Sequence, residues 1–206
     1  MLRTLQDLTD LCVLATDGEM GKVRNFLFDD RSWDVRYLVV DVGGWVSRRD
    51  VVLAVEAIGE QDWDGRKLRV GLSREQVRHS PDVDTTRPVT RQQELAMRRF
   101  YGWPGAFGDN TLEVSFPPVP AGHEYPVDAG EDPHLRSAND VGGYEVRDPH
   151  GELGWLEHFI IEDHSWHIRY LDVKAGDWLH CRSVLIPTLW VDSISWAHRR
   201  VNLKHA

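Results

Sequence analysis

The chain has 206 residues, a formal net charge of −9 and 41% hydrophobic residues, enough for one large or two small globular domains. No window approaches the roughly 20 apolar residues of a membrane-spanning helix, and no signal peptide is visible at the start, so membrane insertion is not expected. Residues 2–73 carry 10 basic and 13 acidic groups, residues 135–206 carry 8 and 10, and the stretch between carries 6 and 10; none has the basic excess that phosphate-backbone binding draws on, so direct nucleic-acid binding is not expected.

From the start, Thr4-Leu-Gln-Asp7 reads as a capped helical turn. GKVRNFLFDD (21–30) and DVRYLVVDV (34–42) read as strands, and the DRSW between them makes a hairpin. Alternation places Val35, Tyr37 and Val39 on one face and Arg36, Leu38 and Val40 on the other. Both faces are largely apolar, as in a strand with covering elements. DVGGW (41–45) turns the chain, since Gly43 and Gly44 adopt positive φ at little cost. VVLAVEAI (51–58) and RKLRVGL (66–72) follow as strands. Five or six short strands in about 70 residues predict a small barrel or sandwich, and closure removes exposed strand edges.

The next part differs in character. Ser73 to Gln76 is a capping-box pattern, and Thr90 to Gln93 is another. Leu95, Met97 and Phe100 give an apolar side to a helix at about 91–100. YGWPGAF (101–107) ends it, and Pro117, Pro118, Pro120, Pro126 and Pro133 leave an extended stretch.

The remainder repeats the beginning. A shift of 133 residues aligns 2–73 with 135–206 without a gap. Identical pairs include Arg3/Arg136, Gly18/Gly151, Gly21/Gly154, Phe26/Phe159, Asp30/Asp163, Trp33/Trp166, Arg36/Arg169, Tyr37/Tyr170 and Trp63/Trp196. Two copies are too few for a solenoid. The chain therefore divides into a first barrel (1–80), a connector (81–133) with a short helix and a Pro-rich stretch, and a second barrel (134–206). The fold class is mainly β: two small barrels related by an internal repeat and joined by a partly helical connector. Trp33/Trp166 and Trp45/Trp178 are expected to cover barrel ends.

The candidate chemistry is thin. Residues 2–73 contain no histidine, whereas the second copy contains seven. His164-Ser-Trp-His167 beside Glu162 has donors that suit zinc, with solvated turn residues as the plainer alternative. Asp29-Asp30 and Glu162-Asp163 are paired acids at matching turns, better read as turn chemistry than as acid–base catalysts. Arg36 and Arg169 recur beside Tyr37 and Tyr170, either as binding residues or as partners of a turn acid. Tyr101, Trp103 and Phe107 form an aromatic cluster that either offers a partner patch or wedges the connector against a barrel or a second subunit. No nucleotide-binding or nucleophile-elbow motif is present, so no enzyme activity and no cofactor are expected. Cys12 and Cys181 make no disulfide framework, which suits a reducing cytoplasm.

LRTLQDLTDLCVLATDGEMGKVRNFLFDDRSWDVRYLVVDVGGW resembles the PRC-barrel family, and so does LRSANDVGGYEVRDPHGELGWLEHFIIEDHSWHIRYLDVKAGDW. Each carries a polar opening turn, G-E-x-G before a long strand, an acid pair, Trp, R-Y-L and G-x-W. SPDVDTTRPVTRQQELAMRRFYGWP resembles the connector of stand-alone bacterial proteins with two such barrels. The resemblance implies a non-enzymatic scaffold or protein-interaction module. The long connector permits barrels to pair across chains, so a homodimer is expected. The family's barrel in the photosynthetic reaction centre H subunit implies, as an alternative, a peripheral accessory of a membrane or reaction-centre complex. Its barrel in a ribosome-maturation factor implies an RNA-processing or ribosome-assembly accessory. A metal-binding protein through the second-copy histidines is a further alternative.

Overall fold

The computed structural model describes residues 1–43, 49–80, 98–102, 135–176 and 182–204. The first copy runs β1 (Leu2–Thr4), a 3-10 turn (Gln6–Leu8), β2 (Cys12–Ala15), β3 (Gly18–Asp29), β4 (Val35–Asp41), β5 (Asp50–Ala54), a 3-10 turn (Val55–Ala57), β6 (Ile58–Asp62), β7 (Lys67–Val70) and α1 (Arg74–Arg78). The second repeats this order as β8 (Leu135–Ser137), α2 (Ala138–Val141), β9 (Glu145–Asp148), β10 (Gly151–Glu162), β11 (His167–Ala175), β12 (Arg182–Pro187), a 3-10 turn (Thr188–Trp190), β13 (Val191–Ser195) and β14 (Arg200–Leu203).

Both opening turns and the capping box form as the sequence predicts. Thr4 Oγ1 accepts from the Asp7 amide at 3.1 Å, and Ser137 Oγ from the Asp140 amide at 3.2 Å. Ser73 and Gln76 cap each other at the start of α1; the second capping pattern, Thr90 to Gln93, and the helix expected at about 91–100, up to residue 97, lie outside the described residues. The protein is mainly β, but the sheets are open where closed barrels were expected. Their orders are β5-β4-β3-β2-β7-β6 and β12-β11-β10-β9-β14-β13, and the end strands do not pair. The predicted single strand over 51–58 breaks after Ala54 into a 3-10 turn, so the chain turns a corner between β5 and β6, the two end strands.

The short opening strands, absent from the sequence reading, join the two copies. β1 pairs with β10 of the second copy, and β8 pairs with β3 of the first. Each copy completes the other's sheet. One core runs through both, from Phe26, Phe28 and Leu38 of the first to Phe159, Ile161 and Leu171 of the second. Trp33 and Trp166 lie in this shared core rather than over barrel ends: Trp166 packs 6.4 Å from Phe26 and 6.3 Å from Trp63, both across the repeat. Trp45 and Trp178 fall outside the described residues.

Two repeated features have local causes. Gly21 and Gly154 lie where a Cβ would stand 2.1 Å from the carbonyl oxygens of Asp41 and Lys174, so only glycine lets β3 and β10 approach their neighbours. In β4, Leu27 faces Tyr37 while Phe28 faces Val35, which leaves Arg36 as the extra residue of a β-bulge. The bulge overrides strict alternation. Val35 joins Leu38 and Val40 in the shared core, and Tyr37 and Val39 point to the outer face. Arg169 is the bulge residue of β11, between Ile168 and Tyr170.

Candidate functional site

The copies meet at the tips of the β3–β4 and β10–β11 hairpins. Trp33 and Trp166 take left-handed φ of 62° and 56° there, a conformation that costs a non-glycine residue roughly 1–2 kcal/mol and is held by burial of the indoles. Their carbonyls then reach across: Val35 N–H donates to Trp166 O and Ile168 N–H to Trp33 O, both at 2.8 Å. Between these bonds Asp34 and His167 form an antiparallel bridge, with Nδ1 to Oδ1 at 2.7 Å. They are the same position in the two copies, so the pseudo-two-fold axis passes between them. An exact repeat would set like against like here; the divergence of one to histidine makes a complementary pair.

Two related ion pairs flank this seam. Arg136 Nε lies 2.6 Å from Asp30, both buried. Arg3 Nε lies 2.9 Å from Asp163, whose other oxygen meets the Met1 ammonium at 2.5 Å. Burial pushes the Asp163 carboxyl up, but hydrogen bonds from that ammonium and from Arg3 outweigh it and hold the group below its ordinary value. Sequence reasoning named neither pair as a site. The signal was there: all four residues are identical between copies, and the acids sit at a turn where solvated side chains need no such identity.

The predicted site residues separate. Arg36 lies 3.7 Å from Asp29, and Arg169 Nη2 lies 2.7 Å from Glu162 Oε2. These pairs match across the repeat, so each arginine ties its bulge back to its own turn acid. Hydrogen bonds from Arg169 and Ser165 hold the Glu162 carboxyl below its ordinary value. His164, His167 and Glu162 do not converge. His164 is exposed, 3.5 Å from Asp163; His167 engages Asp34; Glu162 engages Arg169. Among the described residues no three His, Cys, Asp or Glu gather as a metal set.

Tyr101 packs against the shared core, and burial pushes its phenol up. Trp103 and Phe107 lie outside the described residues. The neighbouring Arg98, which sequence reasoning passed over, is 4% exposed and donates Nε to the Tyr37 hydroxyl at 2.8 Å. It sits on the outer face of the first sheet, a second small core of Leu27, Tyr37, Val39, Val52, Ala54 and Leu135.

The fold and seam define a duplicated small β domain whose two copies complete one another. Residues 3–76 match the model of the PRC-barrel domain, which supports for the first copy the resemblance that its sequence carries. No curated protein matches the chain.

Proposed function

We propose that the protein is a non-enzymatic scaffold, a protein-interaction module of the PRC-barrel type acting in the cytoplasm. One observation carries this reading. The recurring pairs Arg3/Arg136, Asp30/Asp163 and Arg36/Arg169 are engaged in joining strands and halves, while large apolar side chains stand in solvent on the second sheet and the turn between its end strands. Leu2 and Leu185 are 52% exposed, Trp190 60% and Leu189 81%. Exposed apolar side chains gathered on one part of a surface mark contact with another macromolecule. Among the described residues no helix is long and apolar enough to cross a membrane.

The test is capture of the tagged protein from its native cell, followed by reconstitution with the purified candidate partner. A stoichiometric complex that survives purification is the expected result. Turnover of a small molecule by the purified chain alone, with no such complex, would overturn the reading.

A further inference from the structure

The outer faces of the two sheets use matching positions and end differently. On the first sheet the face is closed, beneath the helical segment that carries Arg98. The Arg98 guanidinium lies 5.4 Å from the Tyr37 ring centroid and reaches Glu56 at 3.5 Å. On the second sheet the matching positions hold Leu2, Ile160, Tyr170, Asp172, Leu185 and Pro187, and no element among the described residues covers this face. Leu2 and Leu185 are half exposed, and Leu189, standing where Glu56 stands in the first copy, is 81% exposed. Register places Ile160, Tyr170 and Pro187 in one row across the strands, with Asp172 and Leu185 in the next.

We infer that this open face docks an amphipathic helical segment of a partner protein, one that presents a basic residue between apolar ones. The inference rests on the interaction-module reading and names its surface and the partner's chemistry. The first sheet shows what such a face accepts: a helical turn whose arginine stacks on a tyrosine and donates to its hydroxyl. The second copy keeps that tyrosine as Tyr170. It moves the acid from the rim to the strand centre, since Glu56 becomes Leu189 and Val39 becomes Asp172. Asp172 accepts a hydrogen bond from Ser183 through Oδ1. Its carboxylate gives an incoming Arg or Lys a counter-charge beside the phenol, and Leu2, Leu185 and Leu189 supply the apolar rim. A charge of −9 favours a basic partner over a second copy of the chain.

The probe is a fluorescein-labelled peptide of residues 91–104, RQQELAMRRFYGWP, which has the required chemistry, titrated onto the full-length protein by anisotropy. Saturable binding is expected, weakened at least tenfold by Leu185→Asp or Leu189→Asp in the protein and by Arg98→Glu in the peptide. Both protein variants change exposed side chains, and unchanged thermal unfolding confirms that they fold. Three results overturn the inference. One is no saturable binding. Another is binding indifferent to both face variants, which places the peptide on the first sheet. The third is a dimer seen by light scattering that Leu185→Asp dissolves, which makes a second copy the occupant. A native partner that binds Leu185→Asp as well as wild type removes this face while leaving the interaction-module reading in place.

Discussion

Replacing His167 by Asp sets the same residue on both sides of the pseudo-two-fold axis. In the native chain Asp34 and His167 are 2.7 Å apart, with side chains 45% and 28% exposed. A hydrogen bond to a charged group contributes about 1.5–3 kcal/mol. Exposure on this scale reduces it toward about 1 kcal/mol. Two carboxylates about 4 Å apart add a repulsion of about 1 kcal/mol at the dielectric of water, and about 4 at the effective value near a protein surface. His167→Asp is therefore expected to cost about 2–3 kcal/mol, a fall in Tm of roughly 4–12 °C for a chain of this size. Urea unfolding measures it. The defect should shrink in high salt, where exposed charges are screened. The informative variant is the swap Asp34→His with His167→Asp, which restores the pair in the opposite sense and should recover most of the loss. A single variant within about 0.3 kcal/mol of wild type, or a swap that merely adds two single losses, would refute a complementary axis pair, because neighbouring sites that interact are not additive.

Other consequences follow from the exchanged strands and the close backbone contacts. Fragments 1–80 and 134–206 should each lack a cooperative unfolding transition alone and regain one as an equimolar complex when mixed, as read by circular dichroism; a cooperatively folded monomer from either fragment contradicts the shared core. Asp163 has a lowered pKa when folded, so its contribution is present above the unfolded value of about 3.9 and lost as pH falls through the folded value. Asp163→Asn should cost about 1–3 kcal/mol at pH 7 and flatten the acid limb of the stability profile below pH 4; an unchanged limb counts against it. Gly154→Ala should cost about 2–3 kcal/mol from the carbonyl clash and a φ of 151°, whereas Gly71→Ala, with open space around it, should stay within about 0.5 kcal/mol. Chemical denaturation of both checks the contrast.

The mainly-β class, the hairpins, the capped turns and the repeat were legible because each rests on local pattern: turn residues, Val and Phe runs, and a fixed offset of 133. The face of Val35 was not. Alternation is a local rule, and the bulge at Arg36 that overrides it is set by how β4 registers against β3. The recurrence of Arg36 and Arg169 beside Tyr looked like binding because the turn acid each one meets is seven residues away in sequence, beyond what a strand pattern reports. The strands Leu2–Thr4 and Leu135–Ser137 were illegible for a simpler reason. Three residues carry no periodicity, and their partners lie more than a hundred residues distant.

The differences between the copies are explained by where they fall relative to the axis. A homodimer of one copy must present the same residue to itself at the axis and the same outer face on both sides. Two copies within one chain are under neither constraint. At the axis, Asp34 and His167 diverged toward each other, which favours pairing within the chain over pairing of like halves. Away from it, the two outer faces diverged in opposite directions. The first lost access to solvent beneath Arg98, with Val39 and Val52 buried to 1% and 2% exposure. The second has Asp172 at its centre and Leu189 at its rim. A substitution that only preserved packing would not place a carboxylate on a half-open apolar face beside a retained tyrosine. The second copy, held in place by a partner that no longer needs to be identical to it, is the part of the molecule free to take on a specific surface.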